Sequence, residues 1–157
     1  SNVMEKIKTF LAPIKGKLLD ISCVPDEVFA DRVMGDGFAL DILGGEVIAP
    51  MDGVVTAVFP GGHAVCLQAD CGVQVLIHIG LETHTIKHLY KTKVEQGQHV
   101  KAGDLLVVAD YKKLRKKAKS PITPIVFLNQ EKIELLKENE MVEAGDTGII
   151  RITVQDA

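Results

Sequence analysis

The sequence predicts an all-β fold, a single-domain antiparallel sandwich or barrel with a few short helices. Three observations predict it. Short β-branched runs recur along the chain, and turn residues such as Gly44-Gly45, Gly61-Gly62 and Asp70-Cys71-Gly72 separate them at intervals of about ten residues. Two segments are also repeated. Ala12-Pro13-Ile14-Lys15-Gly16-Lys17-Leu18 returns as Ala49-Pro50-Met51-Asp52-Gly53-Val54-Val55, and Val100-Lys101-Ala102-Gly103-Asp104 returns as Val142-Glu143-Ala144-Gly145-Asp146. The copies stand about 37 and 42 residues apart, too few for a solenoid but suited to one β-domain built from two related halves, a duplicated hybrid motif.

Taken in order, Ser1 and Asn2 read as a cloning remnant, and one domain is expected over residues 1–157. Residues 4–11 read as an amphipathic helical turn or two, which favours a free-standing protein over an excised permease domain. The first Ala-Pro-x-x-Gly copy leads into a strand. Asp26 caps a short helix expected over 26–34. Strands follow at 47–48, 54–59, 64–69 and 73–79, the last two joined by a tight turn at 70–72. After a polar stretch comes a strand at 105–108, then a helix at 111–119 whose six positive charges read as a solvated face, with Leu114 and Ala118 turned inward. A strand at 125–128, a helix at 131–138 and a strand at 149–154 complete the reading.

Composition narrows the function. Eighteen basic and 21 acidic residues give a net charge of −3, no electrostatic footprint for nucleic acid. The chain has no Trp, two Tyr and five Phe, so stacking platforms for single strands or sugar chains are missing. The longest apolar run, residues 105–109, falls far short of the roughly 18 to 20 residues that span a bilayer, so no membrane insertion is expected. An odd set of cysteines, Cys23, Cys66 and Cys71, with no apolar leader, points to a reducing cytoplasm.

Five histidines are left as the chemical resource. Period-two alternation puts Val73, Val75, Ile77 and Ile79 on a core face, and Gln74, Leu76 and His78 on the other. His63 follows Gly61-Gly62 on the neighbouring strand. The 15-residue spacing, folded about residue 70 or 71, places the two imidazoles almost opposite one another. Such a pair can bind a metal, or one ring can act as nucleophile while the other donates a hydrogen bond to the transferred group. No metal is assigned: Cys66 has the wrong strand parity to join His63, no Cys-x-x-Cys knuckle exists, and Cys66 and Cys71 read as small buried side chains. His84, His88 and His99 read as surface residues.

The segment Val73-Gln74-Val75-Leu76-Ile77-His78-Ile79-Gly80-Leu81-Glu82-Thr83 resembles the active-site signature of the glucose-type enzyme IIA domains of the bacterial phosphoenolpyruvate-dependent sugar phosphotransferase system. The resemblance continues through residues 24–30, 34–37, 47–53, 59–64 and 123–126, in order, and covers about residues 5 to 153. It implies an antiparallel β-sandwich and a phosphocarrier that needs no cofactor. By this resemblance His78 accepts a phosphoryl group from the phosphocarrier protein HPr and passes it to a cysteine of a IIB domain, with His63 as the supporting histidine. Val28, Phe29, Ile77 and Ile79 match the apolar part of the family's recognition surface or its supporting strand, and Asp26, Glu82 and Asp110 match acids around it.

Three positions depart from the family pattern: Gly61 stands where a Thr usually precedes the supporting histidine, Glu82 replaces an Asp, and Lys87-His88-Leu89-Tyr90 replaces Gly-x-Gly-Phe in a loop one residue shorter. Two alternatives remain at this level. One is a regulatory IIA paralogue that signals by phosphorylation-dependent protein binding. The other is a biotinyl- or lipoyl-like carrier, although neither a Met-Lys-Met nor an Asp-Lys-Ala hairpin occurs. A LytM-type zinc peptidase would need a His-x-His pair, which the sequence does not contain.

Overall fold

The computed structural model describes residues 3–6 and 9–155. Its strands are β1 (Val3–Lys6), β2 (Gly16–Asp20), β3 (Gly37–Ile42), β4 (Glu46–Ile48), β5 (Gly53–Val58), β6 (Ala64–Ala69), β7 (Gln74–His78), β8 (Tyr90–Thr92), β9 (His99–Val100), β10 (Leu105–Ala109), β11 (Ile122–Phe127), β12 (Lys132–Leu135), β13 (Met141–Val142) and β14 (Ile150–Gln155). Two short helices, α1 (Glu27–Ala30) and α2 (Tyr111–Lys117), and a 3-10 turn at Ile21–Cys23 complete the described elements. All strand pairings are antiparallel.

An eight-stranded sheet runs β13-β2-β3-β11-β7-β6-β5-β9, and two three-stranded sheets run β4-β10-β8 and β1-β14-β12. The large sheet ends in two-residue edge strands and does not close into a barrel. Its order is a palindrome under the sequence repeat. β2 answers β5, β3 answers β6 and β13 answers β9 on either side of the central β11–β7 pair.

The repeated segments make the same bonds twice. Ala12 N–H donates to Asp146 O at 2.9 Å and Gly145 N–H to Ala12 O at 2.8 Å, while Ala49 N–H donates to Asp104 O and Gly103 N–H to Ala49 O, both at 2.8 Å. Where the copies meet, Leu11 N–H donates to Pro50 O at 3.0 Å and Ile48 N–H to Pro13 O at 2.9 Å, a reciprocal pair about a pseudo-two-fold axis. Gly16 and Gly53 occupy equivalent crossings. A Cβ would lie 2.4 Å from Asp41 O at the first and 2.2 Å from Gln68 O at the second, so a neighbouring backbone fills the space of a side chain at both.

Inward-facing residues of the sheets form the main core, which includes Phe10, Phe38, Phe127, Val75, Ile77 and Ile79. A second cluster on the other face of the large sheet joins Phe29 of α1 to Ala64, Leu76, Leu81 and Val126. α1 thereby sits beside the C-terminal end of β7.

Several expectations are corrected here. The segment read as an N-terminal helix overlaps β1, which pairs with β14, and residues 7 and 8 lie outside the described residues. The helix expected at 131–138 is a strand. Lys132-Ile133-Glu134-Leu135 alternates polar and apolar, and pairing with β14 decides the period. Glu131 instead turns inward, accepting from Gln74 N at 2.8 Å and Asn129 N at 2.7 Å. The helix expected at 26–34 ends at Ala30, although Asp26 does cap it. Cys71 is exposed at the hairpin turn and Cys66 is half-buried, so neither is the fully buried residue expected.

Candidate functional site

The β6–β7 hairpin carries the histidine pair. Its register sets Ala64, not His63, opposite His78, so the facing arrangement expected from the spacing is offset by one residue. Strand parity alone would send His63 to the core side. Gly61 and Gly62, at φ of +88° and +86°, turn the chain just before β6 and free His63 from that alternation. Its ring then lies against His78, with centroids 5.2 Å apart and planes inclined at 76°.

His78 is the last residue of β7 and follows Leu76 along the face that meets α1. The Phe29 ring stands 5.1 Å from it. Its Nδ1 lies 2.9 Å from Gly80 O. A carbonyl can only accept, so Nδ1 carries the hydrogen and the neutral ring keeps its lone pair on Nε2. Burial is the largest influence and pushes the imidazole below its ordinary pKa, and His63 acts in the same direction. The Gly80 carbonyl and the Asp26 carboxylate oppose them.

Gly80 has φ +74°, its N–H donates to the buried Thr123 Oγ1 at 3.1 Å, and a Cβ there would strike Leu114 of α2 at 2.9 Å. His63 has its own carbonyl partner. Its Nδ1 is 3.3 Å from Pro60 O, and the Phe59 ring packs at 5.7 Å. A backbone carbonyl and an aromatic ring thus orient His63, where Gly61 offers no side chain.

Both imidazoles line a depression of about 350 Å³ together with Pro60, Gly61, Glu82, Thr83, His84, Ile86 and Tyr90. A shallower depression beside it is lined by Asp26, Val28, Glu82 and Lys119, among others, so Glu82 forms part of both walls. Asp26 Oδ1 also accepts from Val28 N at 2.9 Å as the α1 cap. Glu82 lies 3.5 Å from Lys119 Nζ in an exposed pair of little energetic weight.

The apolar residues divide. Val28 is 47% exposed and Phe29 8%, whereas Ile77 and Ile79 are 1% and 0% exposed. The two isoleucines therefore support the strand from its core side and offer no surface to a partner. Asp110 caps α2 by accepting from Lys113 N at 3.2 Å and lines neither depression. Among the described residues no group of three or more His, Cys, Asp and Glu is placed to hold a metal ion.

Sequence reasoning placed the Glu82-Thr83 pair beside the His78 ring but missed His84 and Tyr90 as lining residues. His84 sits in a loop without periodicity and Tyr90 opens the three-residue β8, and only the shortened 87–90 segment hinted that this wall differs. What the arrangement offers chemically is an imidazole nitrogen with a free lone pair, a second imidazole beside it, and an apolar ring at its back.

The family described as phosphoenolpyruvate-dependent sugar phosphotransferase system, EIIA 1, matches residues 8–133. The glucose-specific EIIA component of Bacillus cereus is 42% identical over 151 residues, covering 94% of this chain and 92% of that protein. The glucose-specific EIICBA component of Staphylococcus carnosus is 43% identical over 142 residues, which are 88% of this chain and 21% of the longer protein. Among solved structures, glucose permease IIA from Mycoplasma capricolum matches with a TM-score of 0.79 at 34% identity, covering 98% of this chain and 96% of that one.

Proposed function

The chain belongs to the EIIA 1 family of the phosphoenolpyruvate-dependent sugar phosphotransferase system, and from that premise we propose that it carries a phosphoryl group on His78 Nε2 between HPr and a IIB domain in the cytoplasm. The observation that carries the reading is the Nδ1–H bond from His78 to Gly80 O, which leaves Nε2 as the nucleophile beside His63.

In the forward step the Nε2 lone pair attacks phosphorus as the bond between phosphorus and the donor breaks, giving a phosphoramidate on His78. In the second step a IIB cysteine thiolate takes the group and the imidazole returns. Both transfers have loose transition states, so alignment and stabilisation of spread negative charge matter most. With its Nδ1–H on Pro60 O, His63 presents a second hydrogen, on Nε2, to a phosphoryl oxygen only as the imidazolium. Phe29 screens the back of the His78 ring, and a docked partner over exposed Val28 would exclude water from the intermediate. The relatives named glucose-specific make a glucose permease IIB the first acceptor to try.

The test is phosphotransfer from phosphoenolpyruvate through enzyme I and HPr, comparing the starting protein with His78→Gln and His63→Gln. The expected label on the starting protein is acid-labile and base-stable, and none appears on His78→Gln. On His63→Gln the label is accepted but passed on roughly a hundredfold more slowly. Persistent labelling of His78→Gln overturns the reading.

A further inference from the structure

The peptide joining Ile79 to Gly80 is gripped from both sides. Thr123 Oγ1 takes its N–H, and the Tyr90 hydroxyl donates to its carbonyl at 2.5 Å while standing 3.2 Å from Thr83 Oγ1. The next carbonyl along, Gly80 O, is the one that holds His78 Nδ1. The same tyrosine also touches the support of the other ring. A Cβ at Gly62 would lie 3.0 Å from Tyr90 Cβ, so the turn that delivers His63 rests directly on Tyr90.

Tyr90 is itself fixed, because β8 pairs with β10 and sets it opposite Ala109. The family resemblance puts Phe at this position, and a Phe ring could pack under the turn but could not bond the Ile79 carbonyl. We propose that Tyr90 is a positioning residue for phosphoryl transfer, whose hydroxyl fixes the Ile79–Gly80 peptide and through it the ring orientation and tautomer of His78. This inference rests on the phosphohistidine reading above.

The test is Tyr90→Phe, with Tyr111→Phe as control, since Tyr111 is the only other tyrosine and lines neither depression. Nitrogen-15 imidazole spectra, recorded above the ordinary imidazole pKa, read the His78 tautomer without any partner. Rapid-quench phosphorylation by HPr separates the maximal rate from the half-saturating concentration.

Tyr90→Phe is expected to move His78 away from the pure Nδ1–H form and to lower the maximal rate roughly three- to tenfold, with saturation unchanged. Tyr111→Phe is expected to change neither. The inference stands only if both readouts move. An unchanged tautomer, an unchanged maximal rate, or an effect confined to saturation overturns it. If the starting protein takes no label on His78, it is the phosphohistidine reading that fails, and the tautomer comparison still decides whether Tyr90 positions the ring.

Discussion

An imidazole that is to attack phosphorus must be neutral when the donor arrives, and at His78 burial favours that form. The lowered pKa moves protonation of the ring to more acidic pH than for a free imidazole. The rate of phosphoryl acceptance by His78 should therefore fall on the acidic side at a lower pH than the titration of a free imidazole, as read by rapid quench against pH. Asp26 pulls the other way. Asp26→Asn keeps a competent helix cap but removes the charge, so the acidic limb of the profile and the titration of His78 should both move to lower pH. His63 and His78 were legible in the sequence because a hairpin fixes residue spacing. Tyr90 was not, because its part depends on a hydrogen bond from the short β8 to the backbone just past the end of β7, which no local pattern announces.

At the level of elements, the two helices owe their existence to aspartate caps. α2 has only seven residues and no acid in its first turn, so Asp110 is its main N-terminal support, while Leu114 holds it against Gly80. Asp110→Ala should cost about 1 kcal/mol in urea unfolding, and Asp110→Asn should recover most of it. The caps and the β6–β7 hairpin were readable from local sequence. β1 and β12 were not, since segments this short satisfy both helical and strand periods, and β14, which pairs with both, selects the strand. β3 went unread for a different reason. It lies in the middle of the large sheet with nearly every residue buried, which erases the alternation that marks a strand.

Over the whole molecule the repeat in the sequence is a repeat in space, and the stability cost of damaging it should be shared equally. Gly16→Ala and Gly53→Ala each force a Cβ into a backbone oxygen at equivalent crossings. Each should lower unfolding free energy by about 2 kcal/mol or more, by similar amounts, in chemical denaturation. A large difference between them would mean that the halves do not bear load alike.

The palindromic sheet also means that the corner holding the histidine pair has a twin. Ile79 N–H donates to His63 O at 2.7 Å beside the Ala64–His78 pair, and Phe127 N–H donates to Asp36 O at 2.8 Å beside the Gly37–Val126 pair. In the twin corner Val126 stands in the place of His78 and Asp36 in that of His63. The Asp36 carboxylate is taken up by Gly37 N, Ile133 N and the Arg32 guanidinium at 2.9 to 3.0 Å. One corner is sealed like masonry by the bonds to Asp36 and the other opens like a doorway onto the depression lined by both imidazoles, so one backbone path frames two different surroundings.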